Sequence, residues 1–155
     1  MSNDVCGFIE PPLSQEVKDA LNEYINGLDI GVSDIRKDQL YNFPDDILPM
    51  DNSYSFLIGD KKGYPNASYL IDFITYAPEA NIGFPNGAKE RLEILLDTLV
   101  NMFRITNAKK MVVALTECNQ IETIKKIKIS QLYDVVVADF EEYQAPPDTL
   151  YEISR

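Results

Sequence analysis

The sequence predicts an α/β or α+β fold, a mixed sheet of about five strands with two or three helices packed on it. Three observations predict it. Leu92, Leu95, Leu96, Leu99, Met102 and Phe103 recur at three- and four-residue steps, the spacing of one helical face. Met111-Val112-Val113-Ala114-Leu115 then follows as an unbroken apolar run, as befits a strand covered on both sides. Shorter runs of aromatic and β-branched residues, bounded by turn residues, lie on either side of this pair.

Taken in order, residues 1–12 read as an N-terminal arm ending at Pro11-Pro12, ahead of one globular domain within 1–155. Ser14 caps a first helix with Leu13, Val17, Leu21, Tyr24 and Leu28 on its apolar face. In residues 29–52 Pro44 and Pro49 break any regular element. Ser53–Gly59 and Ser68–Tyr76 read as an antiparallel hairpin, with turn chemistry in Asp60-Lys61-Lys62-Gly63-Tyr64-Pro65-Asn66. Ala77–Pro85 is a loop. The long helix starts at Asn86 or Gly87 and stops near Asn107. Its outer stripe of Lys89, Glu93, Asp97 and Asn101 is solvated. Residues 119–129 suit either a short helix opened by Asn119-Gln120-Ile121-Glu122 or, through the alternation Lys126-Ile127-Lys128-Ile129, a strand. Leu132–Ala138, LYDVVVA, reads as a second buried strand, so a helix between the two would make a right-handed parallel crossover. Leu150–Ile153 is a short last strand at an edge.

Charge is the most informative property of the composition. Fourteen basic residues against twenty-five acidic ones leave a net charge of −11, unevenly spread. Between Tyr133 and Glu152 six acids occur and no base. Such a surface repels nucleic-acid phosphates and steers a basic partner. Acidity also serves plain solubility. No apolar run approaches the roughly 20 residues of a membrane span. The opening MSNDVCGFIEPP lacks the pattern of a signal peptide, and Cys6 and Cys118 have no paired spacing. A cytoplasmic protein with reduced thiols, bound to neither membrane nor nucleic acid, is expected.

The chain holds no histidine, which removes the commonest general base and metal ligand. It has no GxxxxGK[ST], GxGxxG or GxSxG, and no cofactor is expected. One enzymatic pattern remains: Pro44-Asp45 followed by Asp60-Lys61-Lys62. It mimics the PD-(D/E)xK nucleases, in which two carboxylates hold Mg²⁺ and a lysine polarises water. Asp45, Asp60 and Lys62 are the residues such an activity would use. Asp139-Phe140-Glu141-Glu142 has oxygen ligands for a hard cation, but its spacing matches no calcium loop.

The nine tyrosines, several beside acids, combine rigid contact area with negative charge, a composition suited to gripping a cationic surface. The expected partner contacts are Asp139, Glu141, Glu142 and Tyr143, leaving the end of the second buried strand as a rim. A second set is Asp45, Asp46, Asp51 and Tyr54. In size, acidity, α/β pattern and absence of catalytic motifs, the whole chain resembles the immunity proteins of bacterial contact-dependent and polymorphic toxin systems. The resemblance is one of profile, with no motif that carries residues across. It implies a non-catalytic protein that blocks the active site of a toxin nuclease, the partner being the basic C-terminal toxin domain encoded by a neighbouring gene. The alternatives are the Mg²⁺-dependent nuclease above and a non-catalytic adaptor subunit.

Overall fold

The structure, a computed structural model, describes residues 2–40, 42–74, 77–78 and 83–155. Six strands form one sheet: β1 (Asn3–Glu10), β2 (Gly31–Ile35), β3 (Tyr54–Gly59), β4 (Lys110–Glu117), β5 (Thr123–Lys128) and β6 (Thr149–Ser154). Their order is β2-β3-β1-β4-β6-β5, antiparallel throughout except for the β5–β6 pair. Helices α1 (Gln15–Asn26), α2 (Ser68–Ile71), α3 (Ala88–Ile105) and α4 (Leu132–Tyr143) complete an α+β fold.

The helices share one face of the sheet. Val5, Ile9, Phe56, Ile58, Met111, Val113, Leu115, Tyr151 and Ile153 point into a core completed by Leu21, Leu92, Leu95, Leu96, Leu99, Val136 and Phe140. The period of two along each strand sends Cys6, Phe8, Val112, Ala114 and Leu150 to the other face. There, residues 36–40 and 42–50 cover them with Leu40, Phe43 and Ile47, near 3-10 turns at Lys37–Gln39 and Asp45–Ile47. The continuous apolar run of β4 is thus buried on both sides, as its sequence implies.

The long helix and the Ser14 cap are as expected, with the Ser14 hydroxyl accepting from the Val17 amide at 3.3 Å. Five assignments differ. Residues 3–10 are a central strand paired on both sides, where an arm was expected, because VCGFI fills both faces with apolar atoms. Within it, a Cβ on Gly7 would stand 2.0 Å from the Val112 carbonyl oxygen, so the neighbouring strand demands glycine. Residues 31–35 form an edge strand inside the stretch 29–52, where no regular element was expected; Pro44 and Pro49 lie beyond it.

The expected hairpin is absent. Ser68–Ile71 is one helical turn, and 72–74 are irregular, while 75–76 lie outside the described residues, as do 79–82 of the following loop. Strand β3 pairs instead with β1 and β2.

Leu132–Ala138 is helical. Leu132, Val136, Asp139 and Phe140 recur at helical spacing on its buried side, and that period outweighs the β preference of three consecutive valines. Residues 123–128 take the strand alternative, and β6 lies between β4 and β5, not at an edge. The parallel crossover exists, but it runs β5–α4–β6. Among the described residues no helix is long and apolar enough to cross a membrane.

Candidate functional site

Glu141, Glu142 and Tyr143 occupy the last turn of α4, exposed, and not the exit of a strand. Their position is electrostatically unfavourable. The C-terminus of a helix carries partial negative charge and prefers cations, yet this turn contains no basic residue. The helix stops at Gln144, whose left-handed backbone (φ 56°) lets its amide donate to the Phe140 carbonyl at 2.7 Å.

Asp139, two residues before Glu141, is a different case. It is 5% exposed, and its carboxylate accepts from Lys125 at 2.6 Å and from the Tyr151 hydroxyl at 2.7 Å. Burial, followed by the bond to Asp139, pushes the Tyr151 phenol well above its ordinary range, so it remains a donor. Asp139 therefore fastens α4 to β5 and β6 and is not on a contact rim, which corrects its expected role. Tyr54 is corrected likewise. It is 6% exposed on β3, stacked on Phe56 with ring centroids 6.3 Å apart. Burial, helped by the charge of Asp34, raises its phenol pKa.

What the α4 acids do face is α3. The two helices run antiparallel, and Glu93 on α3 lines a groove with Asp134 and Glu141 on α4. The groove holds about 370 Å³ and is lined also by Lys89, Tyr133, Val137 and Ala138. The Tyr133 hydroxyl donates to the Asp97 carboxylate, tying the two helices together midway. Glu93, Asp97, Asp134 and Tyr133 were not among the expected contacts. The signal of Glu93 and Asp97 was present in the outer stripe of α3, but only the pairing with Tyr133 and Asp134 of α4 turns that stripe from plain solvated surface into a groove wall.

Asp45, Asp46 and Asp51 are exposed, on the segment that covers the opposite face of the sheet. Asp51 pairs with Lys37 at 3.4 Å. The two expected acidic sets therefore lie on opposite sides of the molecule and cannot form one contact.

The nuclease constellation is not assembled. Asp60 is 5% exposed, and its carboxylate accepts from the Tyr69 amide at 3.1 Å and the Leu70 amide at 3.2 Å, capping α2 on the helical side. Burial raises its pKa, opposed by those backbone donors and by Lys61. Asp45 stands on the other face, and the Lys62 ammonium donates to the Asn26 carbonyl at 2.7 Å. Among the described residues no group of three His, Cys, Asp or Glu side chains is placed to hold a metal ion. Both cysteines are free. Cys118 is exposed, whereas burial, aided by Asp4, pushes the Cys6 thiol up to about 12.

Arg91 binds three backbone carbonyls outside its own helix turn. Its guanidinium is 2% exposed and donates to the carbonyls of Tyr69 at 2.7 Å, Asn86 at 2.5 Å and Asp72 at 3.1 Å. One side chain thereby ties Tyr69, Asp72 and Asn86 to the helix. No protein-family model, curated protein or solved structure matches the chain.

Proposed function

We propose that this protein binds and neutralises a basic protein partner, acting in the cytoplasm as an immunity protein that blocks the active site of a toxin nuclease. The observation that carries this reading is the set of exposed carboxylates on the last turn of α4 and along the α3–α4 groove, in a chain of net charge −11. Glu141 and Glu142 are held at a helix end that their charge disfavours. Residues that break a local stability rule without local compensation mark functional surface. The groove walls are helices, α4 tied to β5 and β6 by the Asp139 bonds and to α3 by the Tyr133 bond, so the acids are presented with little freedom left to lose on binding. In this mechanism the carboxylates occupy the positions where nucleic-acid phosphates approach a nuclease, and complementary charge accelerates encounter.

The test is association with the basic C-terminal domain encoded by the neighbouring gene, measured as rate against salt. Glu141→Lys/Glu142→Lys should fold normally, associate more slowly at low salt, and differ less as salt rises, because exposed charges are screened within about 8 Å at physiological ionic strength. Equal rates for both proteins at low salt would remove the α4 end from the interface. Absence of any binding would sink the immunity reading.

A further inference from the structure

One end of the sheet gathers cations around a cavity. The register sets Lys110 of β4 and Lys128 of β5 on either side of Ser154 of β6, so Lys109, Ile129 and Arg155 stand at that same end. Between them and the last turns of α3 lies a cavity of about 500 Å³. Val100, Phe103, Ala108 and Ile129 form its apolar wall. Arg104, Arg155, Ser130 and Asn107 bring donors to it, and Tyr133 completes the lining. In a chain with twenty-five acidic residues, no aspartate or glutamate lines this cavity. Lys110, outside it, is neutralised by Glu10 and Glu152 at 4.0 and 3.9 Å. Neither cavity arginine takes part in an ion pair among the described residues.

The last turn of a helix favours a cation whatever lies beyond it, so Arg104 alone says nothing about a ligand. Arg155 is the independent observation. Its Nε donates to the Ala108 carbonyl at 2.9 Å, and its Nη2 to the Asn107 carbonyl at 2.7 Å and side-chain oxygen at 2.6 Å. These bonds fix the guanidinium plane and leave Nη1 without a partner among the described residues. They also cover two carbonyls that would repel an anion. The carbonyls of Met102, Phe103 and Arg104 are taken in turn by the amides of Thr106, Ala108 and Asn107. The negative end of α3 is thus largely closed where it meets the cavity. Asp97, which accepts from the Tyr133 hydroxyl, is not part of the lining.

We propose that this cavity binds a small organic phosphate, a monoester whose phosphate meets Arg104, Arg155 and Ser130 and whose apolar body lies on Val100, Phe103 and Ile129. A cleft of this volume, mostly apolar with a few convergent donors, has the make-up of a small-molecule site. A phosphate monoester carries close to two negative charges and three acceptor oxygens. Two guanidinium groups and a hydroxyl match that better than they match the single charge of a carboxylate. The site is separate from the acidic surface proposed for a basic partner, and neither reading depends on the other.

The experiment titrates phenyl phosphate, benzoate and inorganic phosphate separately into the full chain and follows its backbone amide resonances. Phenyl phosphate should shift the amides of Asn107, Ala108, Ile129 and Ser130. It should bind about tenfold more tightly than inorganic phosphate, which leaves the apolar wall wet. It should bind about fivefold more tightly than benzoate, which carries less charge. Arg104→Gln should weaken phenyl phosphate about tenfold and leave the rest of the spectrum unchanged, because that side chain is exposed. Lys109→Gln removes the same charge from an exposed position outside the lining and should weaken binding less than about twofold. If Arg104→Gln disturbs the fold, Ser130→Ala carries the test, with a loss of about threefold expected. Absence of shifts at the four amides would overturn the proposal. So would inorganic phosphate binding as tightly as the ester, or equal losses in Arg104→Gln and Lys109→Gln, since either would mean general attraction of anions to a basic end. Benzoate binding as tightly as phenyl phosphate would overturn the assignment to a phosphate.

Discussion

Two acidic regions lie on opposite faces of one sheet, and they are built differently. On the second face, Asp45 and Asp46 sit in the first turn of a 3-10 helix, and Asp51 meets Lys37. These charges sit where the backbone favours them or beside a cation, and beneath them Leu40, Phe43 and Ile47 fill the sheet. On the helical face Glu141 and Glu142 crowd the negative end of α4, and Glu93, Asp134 and Glu141 line the α3–α4 groove. The first arrangement closes a surface, the second leaves one open. Net charge alone does not distinguish them; the placement of charge against the backbone does.

The comparison breaks most directly at the core. Leu96→Ala and Val113→Ala remove buried methyl groups from the helix and strand that support the groove, and each should cost about 2–4 kcal/mol. Denaturant midpoints that barely moved in both variants would contradict this packing. A smaller effect separates two neighbours on α4. Asp139→Asn weakens a buried pair with Lys125 and the bond from Tyr151 and should cost about 1–3 kcal/mol, since Lys125 is itself partly exposed. Glu141→Gln should change stability by less than about 0.5 kcal/mol. Equal effects would mean that Asp139 is as dispensable to the fold as the open acids.

Asp60 sharpens the comparison through pH. Its folded-state pKa is raised, chiefly by burial. Its stabilising contribution is therefore complete below the unfolded-state value of about 4 and is lost as pH rises through the folded-state value. Urea denaturation across that range should show wild type most favoured over Asp60→Asn at the acid end, with the difference narrowing on going to neutral pH. A difference that widened with pH would mean that the backbone amides of Tyr69 and Leu70 outweigh burial.

Periodicity made α1, α3 and β4 legible, because each has a long stretch with one consistent spacing. Where two periods competed, the residues did not decide. Three consecutive valines in 132–138 favour a strand locally, and only the recurrence of Leu132, Val136 and Phe140 against the sheet makes the segment helical. Residues 68–71 depended on a carboxylate eight residues upstream, Asp60, which reads in sequence as the start of a turn. The site was legible in its charge and not in its geometry. Glu141 and Glu142 stood out as acids without bases, but Asp139, beside them in sequence, is taken by Lys125 from a strand that no local pattern connects to it. Glu93 and Asp134 belong together only because α3 and α4 pack antiparallel.

The smallest expected effect bears most closely on function. If Glu141 and Glu142 are kept at the end of α4 for binding, their removal should improve the fold. A cation there interacts favourably with the last carbonyls and an anion unfavourably, each by about 0.3–1 kcal/mol at exposed positions and low salt. Glu141→Lys and Glu142→Lys should therefore each raise the denaturation midpoint slightly, the gain shrinking as salt increases. The matched substitutions on the other face, Asp45→Lys and Asp46→Lys, place cations in the first turn of a 3-10 helix and should give no gain or a small loss. Chemical denaturation of the four variants at low and high salt reads all of this from one kind of curve. Stabilisation by the α4 pair together with slower association with the proposed basic partner would show stability given up at that helix end for binding. Loss of stability in the α4 pair would mean that the two glutamates serve the fold, and the contrast between the faces would fail.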